Sequence, residues 1–172
     1  MDAALRAFVL VGGWPASGKT TLARALATEL RTTYLSKDDV KEALMDALGA
    51  PSTVEESRRL GAAAVAAVLS VARDCPGAVI DSTWFPYAEP LARRLPGPVV
   101  EVRCRVVPEL ARQRFHARVR DARHLDHLRT EDELWGAEVS ALGLGPLLGV
   151  DTSSPVDVPA LAAEIRRVAL PG

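Results

Sequence analysis

The chain has little of several things, and each scarcity excludes a class of protein. Two cysteines, Cys75 and Cys104, occur in 172 residues. That is too few for a disulfide framework or a cysteine-rich metal site, and it suits a reducing interior. No apolar run reaches bilayer length: the longest, residues 60–72, is broken by Gly61 and Ser70. Residues 1–6 are not expected to act as a signal peptide, because the apolar segment behind them runs straight into a glycine-rich loop. A cytoplasmic protein with no membrane partner is expected. The net charge of −1 gives no general attraction to nucleic acid or anionic lipid. Lysines number only three, Lys19, Lys37 and Lys41, so arginine is the default cation. Eight arginines stand against three acids between Arg103 and Arg129. His116, His124 and His127 offer no metal set; His124 and His127 read as solvated surface. Hydrophobic residues at 48% and charged residues at 25% fit a single globular domain over 1–172.

What is present alternates strand and helix. Strands are predicted at 8–12, 33–36, 78–81, 98–107 and 147–150, and helices at 18–30, 39–48, 86–95, 108–120 and 159–170. Ser52-Thr53-Val54-Glu55-Glu56 contains two overlapping capping boxes that open a long helix to Arg73, and Thr130 to Glu133 opens another to about 142. This order predicts an α/β fold, a three-layer α/β/α sandwich with a five-stranded parallel sheet. Its strands all end at one edge, where ligands of such folds bind.

Gly13-Trp14-Pro15-Ala16-Ser17-Gly18-Lys19-Thr20 follows the first strand and precedes a helix, as a phosphate-binding P-loop does. Its backbone N–H groups, with Thr21 behind them, are suited to wrapping a triphosphate. Lys19 would reach the outer phosphates, and Thr20 would hold Mg²⁺. Three further clusters are expected at the same edge. Asp38, after the second strand, is the candidate general base, ionised at pH 7. Its neighbour Asp39 is the expected helix cap. Lys41, one turn on, is placed to hold an anionic acceptor. Asp81 closes the third strand as a second metal support. Ser82, Thr83 and Trp84 would line the acceptor pocket, unless Trp84 and Phe85 plug the core beside Pro86. Arg114 and Arg118, four apart, would share a helix face and close over the donor phosphates. Arg112, Arg120 and Arg123 stand in reserve. Residues 114–130 are expected to form a mobile lid.

On these residues the chain resembles the small, nucleoside-kinase-like P-loop kinases, among them polynucleotide kinase, chloramphenicol phosphotransferase, gluconate kinase and the zeta toxins. The Gly-x-Pro-x-Ser-Gly-Lys-Thr form of the loop, Asp38-Asp39 and Asp81-Ser82-Thr83 carry the likeness. The resemblance implies ATP and Mg²⁺ as cofactors and a phosphoryl transfer to a hydroxyl group. Asp38 would be the base, Lys19 and Arg118 the charge stabilisers, and Asp151-Thr152-Ser153 the border of the adenine site. Lys41 stands where the polynucleotide kinases have an arginine that holds acceptor phosphate, and lysine lacks the bidentate fork. A small hydroxyl-bearing acceptor is therefore favoured over a polynucleotide 5′-hydroxyl or a nucleoside. A non-catalytic nucleotide-binding regulator is the third reading. No Asn-Lys-x-Asp base-reading motif or Asp-Glu pair after the third strand points to a GTPase or a mechanical ATPase.

Overall fold

Apolar residues of the first strand face two sides in turn, and that alternation builds two cores. In the computed structural model, which describes residues 3–118, 121–136 and 140–169, strand β1 (Phe8–Gly13) is buried throughout. Phe8 and Leu10 join a cluster with Val65, Leu69, Ile80 and Trp84. Val9 and Val11 join another with Leu22, Leu26, Val102 and Ile165. A strand covered on both faces needs no polar side, which is why it reads as an unbroken apolar run.

The remaining elements are α1 (Lys19–Leu30), β2 (Thr33–Ser36), α2 (Lys37–Leu48), α3 (Val54–Ala72), β3 (Ala78–Asp81), α4 (Glu89–Ala92), β4 (Val99–Arg105), α5 (Pro108–Ala117), β5 (Leu147–Asp151) and α6 (Val158–Ala169). All five strands are parallel, in the order β2-β3-β1-β4-β5. Helices α1 and α6 pack on one face, and α3 and α4 on the other. Ser36 pairs in register with Asp81, Asp81 with Val11, and Gly13 with Cys104. The loops that follow these strands therefore leave from neighbouring points on one edge.

Four local outcomes differ from expectation. Helix α2 starts at Lys37 because Ser36 caps it, its hydroxyl accepting from the Asp39 amide at 3.1 Å. Neither aspartate is the cap; both occupy the first turn, where the helix dipole favours a carboxylate. Helix α5 stops at Ala117, and Arg118 is extended (φ −82°, ψ 142°). The helix buries Ala111 alone, so packing rewards no further turn. Arg120 lies outside the described residues. The box at Thr130 forms, with Thr130 and Glu133 exchanging bonds of 2.8 and 3.2 Å, but a single π-helical turn, Asp132–Gly136, follows it. Residues 137–139 lie outside the described residues, and 140–142 are not helical. There the buried Glu101 carboxylate accepts from the amides of Leu142 (2.6 Å) and Leu144 (2.8 Å) instead. The expected helix at 86–95 is a 3₁₀ turn, Pro86–Ala88, running into the short α4.

Trp84 belongs to the core and does not line an acceptor pocket. It is 4% exposed, and its indole N–H donates to the Val11 carbonyl at 3.1 Å. A Cβ on Gly12 would lie 2.8 Å from its ring, so the two pack as one unit under the end of β1. Replacing Trp84 with alanine is expected to cost about 3–5 kcal/mol of stability, read as a lower denaturant midpoint. A loss under about 1 kcal/mol would contradict this placement.

Candidate active site

Between β1 and α1 the chain takes positive φ at Gly13 (146°), Ala16 (56°) and Gly18 (85°). A Cβ at Gly13 would stand 2.7 Å from both the Cys104 carbonyl and the Ser17 hydroxyl, so sterics demand glycine there as well. Thr152, just beyond β5, braces the loop: its hydroxyl oxygen is 2.6 Å from the Ser17 carbonyl and 2.9 Å from that of Arg105. The Lys19 ammonium donates to the Trp14 carbonyl at 2.7 Å, spanning the loop. Ser17 Oγ is buried with no hydrogen-bond partner. An anion-shaped concavity with a cation held across it and a buried, unpartnered hydroxyl behind it fits a phosphate chain.

Beneath the loop, Thr20 donates to the Asp81 carboxylate at 2.5 Å, and the Tyr34 hydroxyl approaches the same oxygen at 3.4 Å. Burial raises the Asp81 pKa above the usual carboxylate value, an effect that Lys19 and the Thr20 bond partly offset. Burial likewise lowers that of Lys19, opposed by Asp81. A hydroxyl and a carboxylate side by side are hard oxygen donors of the kind Mg²⁺ accepts, so this pair fits the ion.

One cleft of 370 Å³ gathers most of the expected residues: Pro15, Ala16, Gly18, Lys19, Thr20 and Thr21 from the loop and α1, Asp38 and Lys41 from α2, and Asp81, Ser82 and Thr83 after β3. Arg114 and Arg118 border it too. Gly13, Trp14 and Ser17 contribute no lining; Trp14 instead packs edge-on against Trp135, ring centroids 6.2 Å apart. Asp38 is half-exposed, held by Lys37 at 3.0 Å.

The two arginines do not share a helix face, because Arg118 lies past the end of α5. Arg114 donates to the carbonyls of Thr152 (2.9 Å) and Ser153 (3.3 Å), tying α5 to the loop after β5. Arg118, past the helix end, lies over the Phe115 ring at 4.7 Å and 3.8 Å from Asp126. Of the reserves, Arg112 pairs with Glu131, and Arg123 with Asp121 and Asp46. A second cavity borders Gly18, Thr21, Arg114 and residues 152–156, beside the phosphate loop, where the adenine site is expected.

A family model described as AAA domain matches residues 8–134. The chain belongs to that family. Among solved structures it is similar to a candidate kinase of Chloroflexus aurantiacus, 32% identical, with a TM-score of 0.77 over 94% of this chain and 97% of that one. A gluconokinase from Sinorhizobium meliloti, 21% identical with a TM-score of 0.55 over 98% and 91% of the two chains, shares the fold. Uncharacterized proteins from Mycobacterium tuberculosis and Mycobacterium bovis are 34% identical over 124 residues, 63% of this chain. The chain spans a quarter of the length of those curated relatives. This AAA domain thus has the fold of the small P-loop kinases.

Several lining residues of this AAA domain escaped the sequence reading. His124, Asp126 and Arg129 border the cleft, and so does Phe85, which is exposed and does not plug the core. His124 is not surface: it is 1% exposed, with Nε2 2.8 Å from Glu42. Lys41 and Met45 form the buried stripe of α2, and Ser57 opens that of α3. A lysine and a serine at apolar positions of helical stripes were the available signal.

Cys104 sits behind Gly13, and burial pushes its thiol up to about 12. The thiolate is therefore nearly absent at pH 8, whereas Cys75 is half-buried. Iodoacetamide is expected to modify the native protein at Cys75 only, with Cys104 reacting after denaturation. Rapid native labelling of Cys104, seen by peptide mass spectrometry, would contradict this environment.

Proposed function

We propose that this protein is a kinase that moves the γ-phosphoryl group of ATP to a hydroxyl of a small-molecule acceptor. The observation that carries the reading is the meeting of Asp38 with Lys19, Thr20 and Asp81 around one cleft. A base and a phosphate cradle in one cavity are what phosphoryl transfer needs and mere nucleotide storage does not. Six lysine and arginine side chains against four carboxylates line that cleft, an excess suited to a polyphosphate.

In this mechanism the P-loop amides and Lys19 bind the β- and γ-phosphates. Thr20 and Asp81 would hold Mg²⁺, which when bound neutralises charge on the phosphate oxygens. Asp38 orients the acceptor hydroxyl and takes its proton as the oxygen bonds to the γ-phosphorus and the bond to the β-γ bridging oxygen breaks. ADP then carries away the electron pair. Lys19 and Arg118 spread the charge of the transferring group. Arg114, held by the carbonyls of Thr152 and Ser153, serves as a lid anchor in this reading.

A nucleoside or a 5′-hydroxyl oligonucleotide is the second acceptor class. Phe85, 43% exposed at the cleft and stacked with Tyr87 at 6.1 Å, favours it by offering a base an aromatic surface. ADP release from ATP with small alcohols, sugars and oligonucleotides, run at two salt concentrations, separates the classes. Release that no acceptor stimulates would favour the regulator.

With the best acceptor, Asp38→Asn is expected to keep ATP affinity and slow transfer by about 10²–10⁴-fold. Full activity in that variant would remove Asp38 from the role. Chelation by EDTA is expected to abolish transfer and Mg²⁺ to restore it. Thr20→Val should raise the Mg²⁺ concentration needed for half-maximal rate by about tenfold or more. An unchanged metal requirement would argue against the Thr20 and Asp81 site.

A further inference from the structure

The stretch from Glu131 to Trp135 exposes its side chains with one exception. Glu131, Asp132 and Glu133 face solvent, whereas Trp135 is 8% exposed. Its indole meets two other rings edge-on. Trp14 of the phosphate loop lies 6.2 Å away between centroids, with 86° between the planes, and Phe115 of α5 lies 5.6 Å away at 77°. Edge-to-face contact at these distances is the arrangement in which aromatic quadrupoles attract, so the ring is wedged and not merely covered. Arg112 adds its guanidinium 5.6 Å from the same ring.

Each end of this row of rings holds a cation of the cleft. The Trp14 carbonyl accepts from the Lys19 ammonium at 2.7 Å and from the Ser17 amide at 3.1 Å. Phe115 carries the Arg118 guanidinium over its face at 4.7 Å. Both cations line the one cleft; burial lowers the Lys19 pKa, and the Arg118 charge acts in the same direction. Helix α5 is thinly packed, since it buries Ala111 alone, and Arg118 lies past its end in extended backbone. Holding a long side chain in one rotamer there costs entropy, which a rigid aromatic bed offsets.

We propose that Trp135 is the residue that positions Arg118 for the γ-phosphoryl group. Wedged between the phosphate loop and α5, its ring fixes the Phe115 bed on which the guanidinium lies. The proposal rests on the kinase reading above and names the side chain on which its charge stabiliser depends. Trp135 touches no reacting atom in this account; it acts through Phe115 and Arg118.

Calorimetry of the intact protein with Mg²⁺ tests this, using AMPPNP and, separately, ADP, which differ by the γ-phosphoryl group that Arg118 is to meet. Arg118→Gln and Trp135→Leu should each weaken AMPPNP binding about threefold or more and leave ADP binding within about twofold of the parent. Combining the two should weaken AMPPNP binding no further than Arg118→Gln alone, because an arginine that is gone cannot be misplaced. Trp135→Phe, which keeps a ring edge, should recover most of the loss. Thermal unfolding checks that each variant is folded; should Trp135→Leu fail to fold, Phe115→Leu, which removes the bed itself, carries the same comparison. Undiminished AMPPNP binding in folded Arg118→Gln or Trp135→Leu overturns the positioning. So does a double variant weaker than Arg118→Gln, an equal loss of ADP and AMPPNP binding, or no recovery in Trp135→Phe. All of these leave the kinase reading standing. Failure of the parent to bind AMPPNP overturns the kinase reading and the positioning together.

Discussion

The bend that carries the chain from β1 into α1 is the constraint on which the rest of the molecule depends. It puts three residues at positive φ within six positions, one of them Ala16, where a side chain makes the conformation costly. Its surroundings hold that shape. The Cys104 carbonyl crowds Gly13 from β4, Trp84 wedges under Gly12, and Thr152 grips the Ser17 carbonyl from beyond β5. Three strands of the sheet are thereby committed to the geometry of one loop. A cradle of amides fixed before the ligand arrives spends none of the binding energy on ordering itself.

Charge placement follows the same logic. Lys19 and Asp81 are both drawn out of water near each other, and burial moves each toward its neutral form while its partner resists. The pair tolerates this because Thr20 and the Trp14 carbonyl supply hydrogen bonds. A phosphate chain and a cation would satisfy the same groups better, so the free site is electrostatically poised for both. Elsewhere the arginines are largely structural: Arg123 is locked to Asp121, whose carboxyl it holds at about 2, and Arg114 to two carbonyls.

Much of this was legible in the sequence because local chemistry decides it. The P-loop pattern, the apolar run before it, the capping box whose Thr53 hydroxyl accepts from the Glu56 amide at 3.1 Å, and an aspartate closing β3 each report a short-range rule. The misreadings arose where a distant residue decided. Ser36 is the local exception, taking the cap expected of Asp39 from three positions before it. Trp84 turned inward because the Val11 carbonyl and the space above Gly12 receive it. Arg118 left its helix because α5 has almost nothing to pack on, and Glu101, some forty positions away, accepts from the Leu142 and Leu144 amides where the end of a helix was expected. His124 meets Glu42, 82 positions away, and no periodicity reports such a contact.

The central claim is spatial: the carboxylate at the start of α2 confronts the terminal phosphorus of a nucleotide seated in the loop after β1. A crystal structure with Mg²⁺ and AMPPNP tests it most directly. The account predicts the γ-phosphoryl group at Lys19 and Thr20, with Asp38 across from it and space between them for one hydroxyl oxygen. An Asp38 turned away with its carboxylate still bound to Lys37, or phosphates lying outside the loop, would contradict it.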